Sequence, residues 1–162
     1  MSVKRLIIPR RNGGLLHAEL YSIFEDELDG LPPLVIMCHG GKGDKWEWGR
    51  FPKTAEALNK SHFDVLLFDF SGMGENDREP MLVSNQITDL EDVFQWAKNK
   101  GYNKISTIGL SLGGLTSLLA NLPDRKSAVF WAPGFFMKKI IGFKSILSKL
   151  IFESKVYLIE FK

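Results

Sequence analysis

Apolar positions along the chain follow two patterns: short continuous runs, and longer segments in which they recur every three or four residues. The continuous runs are typical of strands buried on both faces of a sheet, and they cover Leu34–Cys38, residues 64–70 and Ser127–Trp131. The second pattern predicts helices over residues 51–60 and 84–100. Because strands and helices alternate, we predict right-handed crossovers and an α/β fold with a doubly wound, mostly parallel sheet.

A hairpin is predicted at the start of the chain. The apolar-rich segments 3–9 and 15–24 are joined through Asn12-Gly13-Gly14, and asparagine followed by glycine favours the tight turn of an antiparallel hairpin. We therefore expect the sheet to open with an antiparallel pair of strands before the parallel ones begin.

The last segment of the chain differs from the rest in charge. Residues 135–152 combine apolar residues at helical spacing with lysines, and residues 156–161 predict a terminal strand. We expect a core over residues 1–134 and, over residues 135–162, a helix that forms a partial cap, together with that strand. A basic amphipathic helix could alternatively rest on an anionic membrane surface, but no uncharged stretch is long enough to span one.

Ser111 lies where a predicted strand meets a predicted helix. The strand covers residues 104–108, the sequence Gly-Leu-Ser-Leu-Gly-Gly follows at 109–114, and a buried helix is predicted over 115–120. Gly-x-Ser-x-Gly in that context is typical of a nucleophile elbow, which exposes the serine hydroxyl on a strained turn. A serine between glycines also suits an ordinary helix N-cap. The strand–helix units that precede the motif favour the elbow.

Three further glycine-containing turns follow predicted strands. They are His39-Gly40-Gly41, the Ser-Gly-Met-Gly sequence at 71–74, and residues 132–134. Carboxyl ends of parallel strands meet at one edge of a sheet, where α/β proteins place their sites. These turns and Ser111 are therefore expected to converge at one edge.

With these motifs in this order, the sequence resembles the α/β-hydrolase family, in particular its small serine esterase and lysophospholipase-like members, over about residues 3–134. The resemblance implies that Ser111 is the catalytic nucleophile and that the backbone N–H groups of Gly41 and Leu112 form the oxyanion hole. It further implies hydrolysis of a carboxylic ester by acyl transfer, with a small-molecule ester or acyl substrate. His39 is implied to be a loop-shaping residue.

The sequence departs from the family at the catalytic base. The family order is serine, then acid, then histidine, and no histidine follows Ser111. Asp69, like His39, is implied to be structural. Serine needs an adjacent base to be nucleophilic. We therefore expect a C-terminally truncated hydrolase that lacks the last strands and has impaired activity, or alternatively a non-catalytic pseudoenzyme or ligand-binding module of the same fold.

The composition and charge of the chain limit the partners and cofactors that we expect. The net charge of +2 is too small to favour nucleic acid, and no metal-ligand cluster or dinucleotide fingerprint occurs, so we expect no cofactor. The only cysteine, Cys38, lies in an apolar run and is expected to be a buried, inert thiol. A chain without a disulfide or a secretion signal fits the cytoplasm. An uncovered sheet edge would make self-association possible.

Overall fold

A computed structural model of the chain describes residues 1–23, 30–132 and 156–161, with Tyr157 described by its backbone alone. This part contains one seven-stranded sheet, three α-helices and a short 3-10 helix over Glu47–Gly49. The strands are β1 Ser2–Pro9, β2 Leu15–Ser22, β3 Leu34–Cys38, β4 Asp64–Phe68, β5 Ile105–Leu110, β6 Ser127–Trp131 and β7 Val156–Glu160. The helices are α1 Arg50–Asn59, α2 Val83–Asn99 and α3 Leu112–Leu119.

The strand order is β1-β2-β4-β3-β5-β6-β7, which places β3 at the centre of the sheet. Strands β4, β3, β5 and β6 run parallel to one another, while β1 and β2 form the predicted antiparallel hairpin. Its turn is closed by the Gly13 N–H and the Arg10 N–H, which donate to Arg10 O and Gly14 O at 3.0 and 2.8 Å. The sheet is mixed, because β2 also pairs antiparallel with β4, and β7 with β6.

Both faces of the sheet carry a hydrophobic core. Along β3, Leu34, Ile36 and Cys38 point into one core, and Val35 and Met37 point into the other, as the two-residue period of a strand requires. The first core includes buried residues of α2, and the second includes buried residues of α1. The doubly wound α/β architecture predicted from the sequence is therefore confirmed.

Two boundaries differ from those predicted. The strand expected over 64–70 ends at Phe68, because the Phe70 N–H donates to the His39 Nε2 atom (3.0 Å) rather than to a neighbouring strand. The strand before Ser111 continues to Leu110, and the following helix begins at Leu112 rather than at residue 115. Ser111 is therefore the single residue between strand and helix.

The terminal strand is present as β7, and Phe161 beyond it packs on the Arg125 guanidinium, 4.4 Å from the ring centre. The Phe161 N–H donates to Lys126 O at 2.9 Å. The predicted helix over residues 135–152 lies outside the described residues, so the proposed division at residue 134 stays a prediction. Among the helices that are described, none has the length and apolar character needed to cross a membrane.

Candidate active site

The backbone of Ser111 has a conformation that L-amino acids rarely adopt. Its φ is +51° and its ψ is −113°, between the end of β5 and the start of α3. The Ser111 N–H donates to Trp131 O on β6 at 3.0 Å. Its carbonyl accepts the N–H groups of Gly114 and Leu115 at 3.1 and 3.3 Å, in the first turn of α3. Contacts on both sides therefore hold this strained turn in place.

Two glycines of the motif allow the strand and the helix to approach so closely. A Cβ atom on Gly109 would lie 2.6 Å from the Gly113 carbonyl oxygen and from the Gly114 Cα atom. A Cβ atom on Gly113 would overlap the Cys38 carbonyl oxygen at the end of β3. Real Cβ atoms essentially never come within 3.0 Å of such neighbours. Any larger residue would therefore force the helix away from the sheet.

The glycine loop after β3 lies against the Ser111 turn. A Cβ atom built on Gly40 would be 3.5 Å from the Ser111 Cβ atom, and one built on Gly41 would be 3.3 Å from Leu112 Cδ2. No described residue accepts a hydrogen bond from the backbone N–H of Gly41 or of Leu112. Two backbone donors without a described acceptor therefore lie in the turns beside the serine, and their role as an oxyanion hole stays a prediction.

His39 is buried behind this loop and both of its ring nitrogens are engaged. Nδ1 donates to Gly40 O at 2.8 Å, and Nε2 accepts the Phe70 N–H at 3.0 Å. Accepting that N–H requires Nε2 to be unprotonated, so the proton of the neutral ring is on Nδ1. Burial lowers the pKa of His39 below its ordinary value. The side chain therefore shapes the loop and has no nitrogen left to act as a base.

The other two histidines lie elsewhere. His17 Nδ1 is 2.9 Å from Asn76 Oδ1, and the Asn76 Nδ2 group donates to the carbonyl oxygens of Asp69 and Phe70. His62 lies in the turn between α1 and β4, at the amino end of the parallel strands. Within the described part of the chain, the Ser111 hydroxyl makes no hydrogen bond, and no histidine is placed to accept its proton.

Glu47 is a buried carboxylate beside the glycine loop that sequence reasoning missed. Its side chain is 1% exposed, and Oε1 accepts the Gly40 N–H at 2.5 Å. Its backbone has a φ of +44°, and its N–H donates to Asp44 Oδ1 at 3.0 Å. Oε2 is buried without a hydrogen-bond partner among the residues described. The only local signal is Asp44 three residues earlier, which indicates a turn but not a buried acid.

A second buried carboxylate, Asp69, joins the loop after β3 to the loop after β4. Its oxygens accept the Lys45 N–H and the Lys45 Nζ group, both at 2.7 Å, and the Glu75 N–H at 3.0 Å. Lys45 Nζ also lies 2.5 Å from Glu75 Oε2. Burial lowers the pKa of Lys45, but its hydrogen bonds to Asp69 and Glu75 outweigh burial and raise the pKa overall. Asp69 is structural, as the resemblance implies.

These two loops enclose a groove of about 560 Å³ at the carboxyl edge of the sheet. Gly43, Gly72 and Gly74 contribute backbone to its wall. The side chains that line it are Lys42, Asp44, Trp48, Met73, Arg78 and Met81. Lys42 directly follows Gly41, so one end of the groove lining is continuous in sequence with the glycine loop.

Comparison with known families agrees with this geometry. Residues 33–129 match the sequence profile of the alpha/beta hydrolase fold. The chain belongs to the alpha/beta hydrolase fold family. The matched segment contains the central strand β3, the glycine loop, the Ser111 turn and most of β6. A search of curated proteins gave no significant match.

Solved structures of alpha/beta hydrolases are similar to the chain. An esterase from Pyrococcus furiosus, Pf2001, is 24% identical with a TM-score of 0.73, over 85% of this chain and 54% of its own. An alpha-beta serine hydrolase homologue from Coxiella burnetii is 20% identical with a TM-score of 0.71, over 90% of this chain and 68% of its own. Est1E from Butyrivibrio proteoclasticus, solved with ferulic acid bound, is 28% identical with a TM-score of 0.64, over 71% and 46%.

The chain thus spans about half the length of the Pf2001 and Est1E structures, at 54% and 46% of each. Identities of 20% and 24% with the Coxiella and Pyrococcus proteins show the shared fold alone.

Proposed function

We propose that this alpha/beta hydrolase reacts with carboxylic esters by acyl transfer to Ser111. The observation that carries the proposal is the strained turn at Ser111, flanked by the unpaired N–H groups of Gly41 and Leu112. The turn has the strand–serine–helix context of a nucleophile elbow. Esterases among the similar structures support a small-molecule ester as substrate. Lysophospholipase-like specificity is the narrower form of this proposal.

The proposed chemistry forms a bond between Ser111 Oγ and the ester carbonyl carbon. The hydroxyl proton passes to solvent water, the ester C–O bond breaks, and the departing alkoxide takes a proton from water to leave as the alcohol. A further water molecule later hydrolyses the acyl-enzyme, which releases the acid and restores the Ser111 hydroxyl. Negative charge develops on the former carbonyl oxygen, where two backbone donors would stabilise it. In comparable enzymes one such donor contributes about 3–4 kcal/mol. Gly41 and Leu112 are the donors that we propose for this role.

The proposed reaction also needs a group that accepts the proton of the Ser111 hydroxyl. His39 uses both ring nitrogens in hydrogen bonds, and neither His17 nor His62 contacts Ser111. Hydrolases deprived of the base and acid keep about 10³–10⁴-fold acceleration over water. We therefore expect slow acylation and little turnover from this chain alone.

A second candidate function is a ligand-binding module that has kept the pocket and lost catalysis. The observation that favours it is the Ser111 hydroxyl, which makes no hydrogen bond to any residue that the structure describes.

A cytoplasmic location agrees with the buried thiol of Cys38, whose pKa burial raises to about 12. Membrane-surface contact and self-association stay predictions.

Acylation by p-nitrophenyl acetate separates the two candidates. We expect one equivalent of acetyl group per chain, slowly formed and detected by intact-protein mass spectrometry. Ser111→Ala should lose this adduct, whereas Ser61→Ala, which changes an exposed serine in the turn after α1, should keep it. Equal acetylation of Ser111→Ala and the wild type would contradict the proposal. Fast multiple turnover would contradict the statement that the base is missing.

A further inference from the structure

The groove between the loops after β3 and β4 is lined by more positive than negative side chains. Lys42 and Arg78 are both exposed in its lining, and neither makes an ion pair with another described residue. By contrast, the nearby Lys45 is neutralised by Asp69 and Glu75. Two cations without a carboxylate partner therefore face the same cavity.

The acidic residue that lines the groove does not cancel this charge. Asp44 is the one acid among the described lining residues, and its Oδ1 atom accepts the N–H groups of Trp46 and Glu47 at 2.9 and 3.0 Å. Glu79, next to Arg78 in sequence, pairs with Arg10 at 2.7 Å. The lining therefore keeps one net positive charge, with Asp44 committed to the turn that it stabilises.

The same groove also presents apolar surface to solvent. Trp48 is 77% exposed and Met81 is 47% exposed, and the buried Met73 in the loop after β4 also lines the groove. Trp48 has a φ of +53° and is followed by Gly49 at +83°, so its exposed position is set by a constrained backbone. Large apolar side chains held out into a cavity are typical of ligand-binding surfaces.

We propose that this groove binds the end of the substrate remote from the reacting carbonyl, and that this end is an apolar body carrying an anionic group. Arg78 and Lys42 would pair with carboxylate or phosphate oxygens, and Trp48 and Met81 would contact the apolar body. The inference rests on the proposed function for the reaction at Ser111. The binding itself needs only the groove.

Fluorescence titration of the full chain tests the binding step. The probes are 3-phenylpropanoate, phenyl phosphate and the neutral 3-phenylpropanol, followed through the fluorescence of the chain's four tryptophans, of which Trp48 lines the groove. Because each exposed ion pair adds little binding free energy, we expect the anions to bind about threefold to tenfold more tightly than the alcohol. This difference in affinity should be smaller at high salt. The ratio of the two anions shows whether carboxylate or phosphate is preferred. Trp48→Phe should remove the fluorescence change.

A matched pair of charge variants checks the residues. Lys42→Gln combined with Arg78→Gln should abolish the preference for the anions, while Lys53→Gln combined with Lys60→Gln, exposed on and just after α1, should preserve it. Equal binding of anion and alcohol, no saturable binding, or an equal effect of the two double variants would overturn the inference. Ser111→Ala should bind like the wild type. Intact groove binding without acylation of Ser111 would therefore count against the proposed function alone.

Discussion

At the residue scale, the conformation of Ser111 shows how the surrounding structure sets the position of one hydroxyl. A non-glycine residue at φ +51° and ψ −113° costs about 1–3 kcal/mol of strain. The hydrogen bond to Trp131 O and the two bonds accepted by its carbonyl help to offset that cost. Because the helix begins with the next residue, the side chain lies at the edge of the sheet beside Gly40. The strain is a property of the turn, and the placement of Oγ follows from it.

Glu47 stabilises the glycine loop beside Ser111, because its carboxylate accepts the N–H of Gly40. We expect Glu47→Ala to lower the free energy of unfolding by about 1–3 kcal/mol, because the Gly40 N–H would be left buried without an acceptor. Glu47→Gln keeps an oxygen acceptor and should lower the free energy of unfolding less than Glu47→Ala does. Urea unfolding followed by circular dichroism measures both changes. Glu56→Ala, at an exposed position on α1, is the control, and a loss as large as that of Glu47→Ala would refute this role.

The buried imidazole of His39 gives the fold a pH dependence. Burial lowers the pKa of His39 below 6.5, so the unfolded chain takes up a proton at a higher pH than the folded one. Its contribution to stability is therefore complete above the unfolded pKa and is lost as the pH falls towards the folded pKa. His39→Asn should be less stable at neutral pH, but should lose less stability than the wild type between about pH 7.5 and about pH 5.5.

The control for that experiment is Ser61→Asn, at an exposed residue of the turn after α1 whose side chain does not titrate. Its urea midpoint should change with pH as the wild-type midpoint does. If His39→Asn also followed the wild-type pH dependence, the proton linkage would have to come from other groups.

At the scale of elements, the strands were the most predictable part of the chain. Runs such as Leu34–Cys38 are apolar at every position because both faces of the strand are covered, and that pattern is visible in the sequence. The start of α3 was predicted three residues late, because Gly113 and Gly114 are poor helix formers. Their small size at the contacts with β3 and β5 outweighs that propensity, and contacts of this kind cannot be read from the local sequence.

The candidate site was predictable only in part, for the same reason. The motif around Ser111 and the glycine loop are local patterns, so their meeting at one edge could be inferred from the parallel sheet. Lys45 and Glu47 look like solvated loop residues in the sequence, yet both are 1% exposed. Their partners are Asp69, which is 24 residues away, and Gly40. Burial of a charge depends on such distant partners.

The Lys45–Asp69 pair holds the loops after β3 and β4 together. Side chains of both residues are at most 1% exposed, so removing one charge leaves the other buried. We expect Lys45→Met to lower the free energy of unfolding by about 3 kcal/mol, at the low end for buried pairs because two backbone N–H groups still reach Asp69.

The matched control is Lys98→Met, which breaks the exposed pair with Asp124 at 2.8 Å. That change should cost less than about 1 kcal/mol. Chemical denaturation of the two variants compares the pairs directly. Similar losses for both would mean that the buried pair is not what joins the two loops.

At the scale of the whole molecule, the parallel strands bring the glycine loop, the Ser111 turn and the cationic groove to one edge of the sheet. The family assignment over residues 33–129 covers the elements that build this edge. The chain spans 54% of the Pyrococcus esterase, and no described residue makes a hydrogen bond to the Ser111 hydroxyl. The fold thus places Ser111 beside the glycine loop, where we propose a nucleophile and two amide donors.

The most direct test of the central claim is the site of modification by an alkyl fluorophosphonate, mapped by peptide mass spectrometry after prolonged incubation. We predict one adduct, on the peptide that contains Ser111, and no adduct on that peptide in Ser111→Ala. Modification of a different residue in the wild-type chain, or equal modification of the wild type and Ser111→Ala, would contradict the account.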